Sequence, residues 1–598
     1  MKQIFFIVSL LWAPIVLADF NAGETAYQSH DYFSALRELR PLAEQGNAEA
    51  QRYLGVMYAQ GQGVPQNYAE ALQWFHKAAD QGLPRAQSNL ARMYAEGMGV
   101  PKDVVEALKL FQLAAAKHDA IAQSSLGQIY LFGIGVNKDE AKALSWLRLA
   151  ADQNEAGAQL VLASLFAHGE GVERNPHEAI RWYRKAADQG TAEAQYQLGL
   201  LYSDNKAVPV NLAESLQWFR LAADQGYPPA EANLANFYYL GKGVTRDFVE
   251  AAKWNRQASE HGSAWAQHNF GIMYERGEGV PHDAVEAAKW YRKSAEQGFA
   301  HAQHILAYMY MRGVDVPQDY REALKWDRQA ADQGIDEAQY NLGVMYRDGL
   351  GIPRDIHAAL KWFRLAAGQG YSTAQYTLGV MYLEGQGVTQ DLAEGVTWTR
   401  LAAAQGLAVA QHSLGNCYEF GQGILRDVPE AVKWYRLAAE QGLVSAQKHL
   451  GLLYIGSNNP GVPQDYTEAL KWFRMAAQQG DAGGQYALGV MYQKGQGIPQ
   501  DDSAAHKWIA RAAVQGMPDA QLALGLMLAS GTGVTKDSVQ AGMWLRLAAL
   551  NSTDKEQNGK ARLAFDLIST RMTAEQIAQA EKLASDWKAN KQLEGKQP

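Results

Sequence analysis

NAEAQRYLGVMYAQGQGVPQNYAEALQWFHKAADQG (Asn47–Gly82) is one copy of a 36-residue unit that recurs fourteen times between Asn47 and Ser552. LAVAQHSLGNCYEFGQGILRDVPEAVKWYRLAAEQG (Leu407–Gly442) follows the same template ten units later. Only Leu443–Gly480 breaks the length, with two extra residues in its SNNPGVP segment (Ser457–Pro463). A strict period of this size marks a stacked solenoid, in which each unit touches only its neighbours and the core is one continuous strip. Such proteins work by presenting an extended surface, so binding rather than chemistry is the expectation.

Numbering the unit from Asn47, positions 4, 8, 11 and 12 (Ala50, Leu54, Met57, Tyr58) form the stripe of an amphipathic helix. Position 9 is Gly or Ala throughout, from Gly55 and Ala91 to Gly525. A mid-helix Gly costs about 1 kcal/mol against Ala, so a neighbouring backbone is expected to pass close by. The Gly61–Pro65 loop stops this helix. Position 21 is then Asp or Asn in all fourteen units and position 24 is Glu in ten, a helix-start signature related to the capping box. On the second helix, positions 25, 28 and 32 (Ala71, Trp74, Ala78) share a face, and Gly82 ends it. Position 28 is Trp in thirteen units, Leu110 being the exception. Burying one Trp removes roughly 150–250 Å² from water, about 4–6 kcal/mol gross, which makes these side chains the expected anchors between units. Trp290→Ala is expected to weaken two adjacent units and spare distant ones. Gln at position 5 (Gln51, Gln303, Gln411) reads as a structural hydrogen-bonding residue. Arg at position 30 (Arg184, Arg292, Arg436) is expected to pair with acidic side chains of a neighbouring unit.

The pattern A-x-A-Q-x-x-L-G-x-M-Y-x-x-G-x-G-V-P-x-D-x-x-E-A-x-K-W-x-R-x-A-A-x-Q-G resembles the Sel-one-like repeat, a branch of the tetratricopeptide-type helical solenoids. The resemblance implies an all-α fold of antiparallel helix pairs coiling into a right-handed superhelix, with first helices on the concave side. It also implies an adaptor that binds protein partners without catalysis.

Outside the repeats, residues 1–18 read as a signal peptide: Lys2, an apolar Ile4–Val16 and a small-residue cleavage site before Asp19. An exported, periplasmic or secreted chain without a later membrane span follows. Residues 19–46 read as an N-terminal cap built on a partial repeat, and 553–598 as closing helices (Gln557–Ile568, Thr573–Trp587) with a frayed tail from Lys588. The net charge of −8 and pI near 6.0 come from alternating acids and bases, which disfavours nucleic acid as a partner. A single cysteine, Cys417, rules out an internal disulfide and reads as a small buried hydrophobe.

The helical period turns positions 3, 6, 10 and 13 away from the core, and in the superhelix these positions are expected to line a concave binding groove. Position 6 carries His268, His304, Tyr340, Tyr376 and His412 in consecutive units, a ladder suited to an extended peptide or glycan; the alternative is that these rings pack against the next unit. Position 13 adds Tyr239, Arg347 and Glu419. His301, His304 and His268 are a weak metal candidate, lacking a recurrent carboxylate. Short matches to penicillin-recognising motifs (Ser445–Lys448, Ser552–Lys555, Ser203–Asn205) stand without the scaffold and strand those enzymes need. The G-x-G loops follow helices and carry no Lys-Ser/Thr, so turn chemistry explains them better than phosphate binding. No cofactor is called for. The functional expectation is a non-enzymatic interaction scaffold. A peptidoglycan-associated binder comes next, and a β-lactam-active hydrolase like cysteine-rich relatives comes third.

Overall fold

The computed structural model describes residues 18–204, 209–457 and 459–594. Among these, thirty-two α-helices run from α1 (Phe20–Gln28) to α32 (Ala574–Glu594), and there is no strand. The signal-peptide segment lies outside the described residues except for Ala18. The helices group into two compact units, up to Gln297 and from Gly298 onward. Within each unit, successive helices pair antiparallel as an α-α solenoid.

Local chemistry fixes most repeats the same way, the longer repeat at Leu443 differing in that Gly456 is extended. In the repeat at Ile335, α19 (Asp336–Asp348) is closed by Gly349 in the left-handed region, φ 74°. The cap of α20 (Ile356–Gly368) is Asp355, whose carboxylate accepts the His357 and Ala358 N–H groups while its own N–H reaches the Tyr346 carbonyl at 2.8 Å. Thus position 21 both starts the second helix and ties the loop back to the first. The second loop glycine, Gly351, is also left-handed, and a Cβ there would stand 2.6 Å from the Tyr320 carbonyl oxygen of the preceding repeat. Conformation and close approach together account for the G-x-G loops. At position 24 the structure adds a role: Glu250, Glu322, Glu394 and Glu468 accept the indole N–H of the Trp one turn on, at 2.8–3.1 Å.

Positions 4, 8 and 11 are buried as expected, Ala50, Leu54 and Met57 being 0% exposed, whereas Tyr58 at position 12 is only half-buried. That tyrosine has a partner. Position-30 arginines donate to the position-12 phenol of the following repeat: Arg184 to Tyr202, Arg220 to Tyr238, Arg328 to Tyr346, Arg364 to Tyr382 and Arg436 to Tyr454. The expected acidic partner appears beside the phenol for Arg184 (Glu214) and Arg436 (Glu468). The recurrent pairing is therefore Arg–Tyr, because the phenol lies on the nearer helix.

The position-5 glutamines form a relay between repeats. Gln339 Nε2 donates to the Ala331 carbonyl of the repeat before, and its Oε1 accepts from Gln369 Nε2 at position 35. The same pattern runs from Gln51 to Gln521. These amides are buried, and the relay satisfies both ends where position 35 is Gln or Asn; Gln87, whose repeat has Lys117 there, keeps a buried Oε1 without a partner.

The nearest neighbour of a position-9 glycine is the position-29 side chain of its own repeat, a ring in six repeats, with second-helix backbone next at 3.0–3.3 Å where that side chain is not a ring, as at Gly379 and Gly127. A Cβ on Gly343 would meet Phe363 Cε1 at 2.5 Å, and Gly55, Gly199, Gly271, Gly415 and Gly451 face Phe75, Phe219, Tyr291, Tyr435 and Phe473 in the same way. Those rings stand at position 29, next to the Trp, and are almost fully buried. The Trp side chains reach the preceding repeat instead: Trp290 packs with Ala251 and Ala252, and Trp362 with Ala330 and Ala331. Cys417 is 1% exposed, and burial pushes its thiol up to about 11. At the C-terminus, α31 (Lys555–Ser569) and α32 close the stack. Thr573 and Gln576 cap α32 reciprocally, and that helix continues to Glu594.

Candidate functional site

On the outer face of the first helices, the position-6 side chains lie closer to the core than the wheel suggests. His268 is 9% exposed and packs on Tyr291, ring centroids 5.7 Å apart. His304 Nδ1 donates to Asp327 Oδ1 at 2.9 Å, with Asp327 fully buried. Tyr340 rests between Phe363 and Tyr371, each at 5.5 Å. The Tyr376 hydroxyl meets Ser413 at 3.2 Å. His412 stacks on His449 at 4.9 Å, Nε2 to Nδ1 2.9 Å, and tilts onto Tyr435. Each ring thus touches the position-29 side chain of its own repeat, the next first helix, or both. A solenoid helix has neighbours on three sides, and position 6 points toward the third.

The three position-13 residues behave differently. Tyr239 donates to Glu278 at 2.6 Å and receives Arg276 at 3.3 Å. Arg347 forms a two-pronged pair with Asp348, at 2.7 and 2.8 Å. Glu419 accepts the Tyr435 hydroxyl at 2.7 Å, as Glu275 accepts that of Tyr291 at 2.6 Å. Burial, and next the carboxylate, hold both phenols far above their ordinary value.

Electrostatics follow burial. His412 is pushed down to about 4 by burial and by His449. For His304, burial lowers the imidazolium, but the Asp327 hydrogen bond and charge outweigh it and the net direction is upward. Burial pushes the Asp327 carboxyl up. Among the described residues no group of three His, Cys, Asp or Glu side chains could hold a metal ion, so the His268–His301–His304 candidate is not assembled. His304 is committed to Asp327, and His301 packs on Phe299 at 5.7 Å. Of the penicillin-motif fragments, Lys448 pairs with Asp481 at 3.1 Å, while Ser203–Asn205 ends outside the described residues.

A cavity that the ladder did not anticipate opens against the helix that carries its first member, His268. About 250 Å³ lies between α13 (Pro228–Leu240), α14 (Phe248–Glu260) and α15 (Ala264–Arg276), lined among others by Asn236, Tyr239, Asn255, Trp265, Asn269 and Arg276. Tyr239 was the sequence candidate here. The signal for the rest is in the sequence: position 29 holds a ring or aliphatic side chain in every repeat except at Asn255, Asp327 and Thr399.

A family model for the Sel1 repeat matches fourteen consecutive segments, beginning at 48–83 and ending at 518–552. The chain belongs to the Sel1 repeat family. Among solved structures, this Sel1 repeat chain is similar to c5321, a protective antigen present in uropathogenic Escherichia coli strains and displaying an SLR fold. The identity is 34% over 80% of this chain and 94% of that one, with a TM-score of 0.59. A Sel1 repeat protein from Oxalobacter formigenes is 36% identical over 52% of this chain and 89% of that one, TM-score 0.42. No curated protein matches. Sel1 and tetratricopeptide-like repeat proteins generally act as protein-interaction scaffolds. No helix among the described residues is long and apolar enough to cross a membrane.

Proposed function

We propose that this chain is a non-enzymatic interaction scaffold, exported to a bacterial periplasm or beyond, that binds a protein partner along the outer face of its first helices. One observation carries the reading. The columns that hold the repeats together keep nearly the same residue from unit to unit, Gln at position 5 and Trp at position 28 each failing once in fourteen, whereas positions 3, 6, 10 and 13 range over aromatic, charged, polar and aliphatic side chains. Position 3 alone runs through Trp265, His301, Glu337 and Thr373. A face that varies while its support stays fixed is suited to reading one extended partner at several points. Export rests on residues 1–18 and agrees with the description of the similar uropathogenic chain as a protective antigen.

The test is capture from a bacterial envelope extract by the mature chain, Asp19–Pro598, against a variant carrying Tyr239→Ala, Trp265→Ala, Arg347→Ala and Tyr308→Ala, the last an exposed position-10 side chain on the helix Ala300–Arg312. The reading expects one protein partner, depleted in the variant while helical content is unchanged. Pelleting with purified cell wall and no protein capture would replace it with the glycan-binding reading.

A further inference from the structure

The repeat Tyr227–Gly262 departs from its neighbours at its centre. Where they bury Phe219 or Tyr291, it places Asn255, 3% exposed. Of the three polar side chains at position 29, Thr399 Oγ1 donates to the Gly395 carbonyl at 2.8 Å and Asp327 Oδ1 is held by His304, though Asp327 Oδ2 is buried without a hydrogen bond; of the three it is Asn255 that lines a cavity. Asn255 Nδ2 has only the Met273 sulfur, at 3.3 Å, and its Oδ1 has no hydrogen-bonding partner. A buried amide oxygen left this way costs free energy unless a donor reaches it. The missing ring is also missing volume, and the result is the cavity of about 250 Å³ with Asn255 in its wall. Its other walls are mostly flat or apolar: Trp265, Tyr239, Ile272, Met273 and Leu240. Asn236, Asn269 and Arg276 bring the remaining polar groups.

We propose that this cavity is the anchor pocket of the scaffold, and that it takes a tyrosine side chain of the partner. The partner's ring fills the space that a position-29 ring fills in adjacent repeats, and its hydroxyl donates to Asn255 Oδ1. The lining selects this occupant. An apolar body is needed to cover Trp265 and Ile272, a donor is needed at the amide oxygen, and an aliphatic side chain supplies only the first. Large rigid rings are also the side chains that give most contact area for least ordering cost. This inference rests on the scaffold reading and assigns it a specific contact.

The test uses the mature chain with two small probes, N-acetyl-tyrosine amide and N-acetyl-phenylalanine amide, followed by ligand-observed NMR titration. The tyrosine probe is expected to bind roughly tenfold more tightly, the value of about one hydrogen bond. Asn255→Phe restores the common ring. It is sterically compatible with Ala235, since Phe111 and Tyr183 stand opposite Ala91 and Ala163. It is expected to abolish binding of both probes. Asn255→Leu, which removes the acceptor with little change of size, is expected to erase the preference between them. Equal binding of the two probes by the natural chain, no binding of either, or binding that survives Asn255→Phe would overturn the pocket assignment. Partner capture that persists in Asn255→Phe would sink this inference and leave the scaffold reading standing. Absence of any capture by the natural chain would remove the scaffold reading itself.

Discussion

Glu231 and His261 meet at 2.8 Å, carboxylate oxygen to imidazole Nδ1, at the two positions where the neighbouring repeats join a pair of glutamines. Glu231 is 1% exposed, so the carboxylate depends on this partner. The paired change shows that the relay is a unit: a residue at position 5 is chosen together with one at position 35, thirty residues away. Replacing His261 with Ala strands the carboxylate and should cost about 1–3 kcal/mol. The loss should appear as faster amide exchange in α13 and α14. Changing both residues to Gln should restore protection; a double variant as weak as the single one would contradict the relay.

The position-9 glycines make a second prediction. Gly343→Ala drives a methyl group into the Phe363 ring, so overpacking should destabilise by about 1–3 kcal/mol. Gly368, at the exposed end of α20, has nothing within 4 Å of an added Cβ. Its replacement by Ala should be neutral or stabilising by up to about 1 kcal/mol. Denaturant melts of the two variants check this, and equal effects would refute the ring-against-glycine packing.

His304 and Asp327 replace a ring pair with a buried polar one. His304→Ala leaves Asp327 without its partner and should cost about 3 kcal/mol. The double variant His304→Tyr with Asp327→Phe reproduces the Tyr340–Phe363 pair and should be as stable as the natural chain or more so. A strongly destabilised double variant would show that the polar pair is required for this repeat to fold.

The stacked His412 and His449 give a pH dependence. Burial lowers the folded-state value of His412 to about 4, below the 6.5 of an unfolded chain, so the unfolded state takes up the proton first. This contribution to stability is complete above pH 6.5 and is lost as the pH falls through about 4. Exchange in α23 (Ala408–Phe420) and α25 (Val444–Ile455) should therefore quicken over that window, and His412→Leu should flatten the change. An NMR titration placing His412 near 6.5 would contradict the buried stack.

The repeat, its helix bounds, the Asp caps, the Trp anchors and the Gln column were legible in the sequence because each is set within one unit or between equivalent positions of adjacent units. The partner of Gly343 was not. A recurrent glycine reports that something is near but not what, and Phe363 lies twenty residues on. The ladder from His268 to His412 left two readings open, a binding face or packing against the next unit, and a single helical wheel cannot choose between them. The side chains that crowd His412 come from α24 (Val428–Glu440) and α25. Asn255 was visible as a break in a column of rings, yet only the packed structure shows that the break leaves a cavity.

Side-chain footprinting of the captured complex tests the central claim most directly, because the solenoid offers two rival faces. The second helices expose their own column of leucines, Leu149, Leu221, Leu365, Leu401 and Leu437. The account predicts that the partner shields Tyr239, Trp265 and Tyr308 on the first helices and leaves those leucines as reactive as in the free chain. Protection of the leucine column, with Trp265 and Tyr239 unchanged, would place the partner on the opposite face and contradict it.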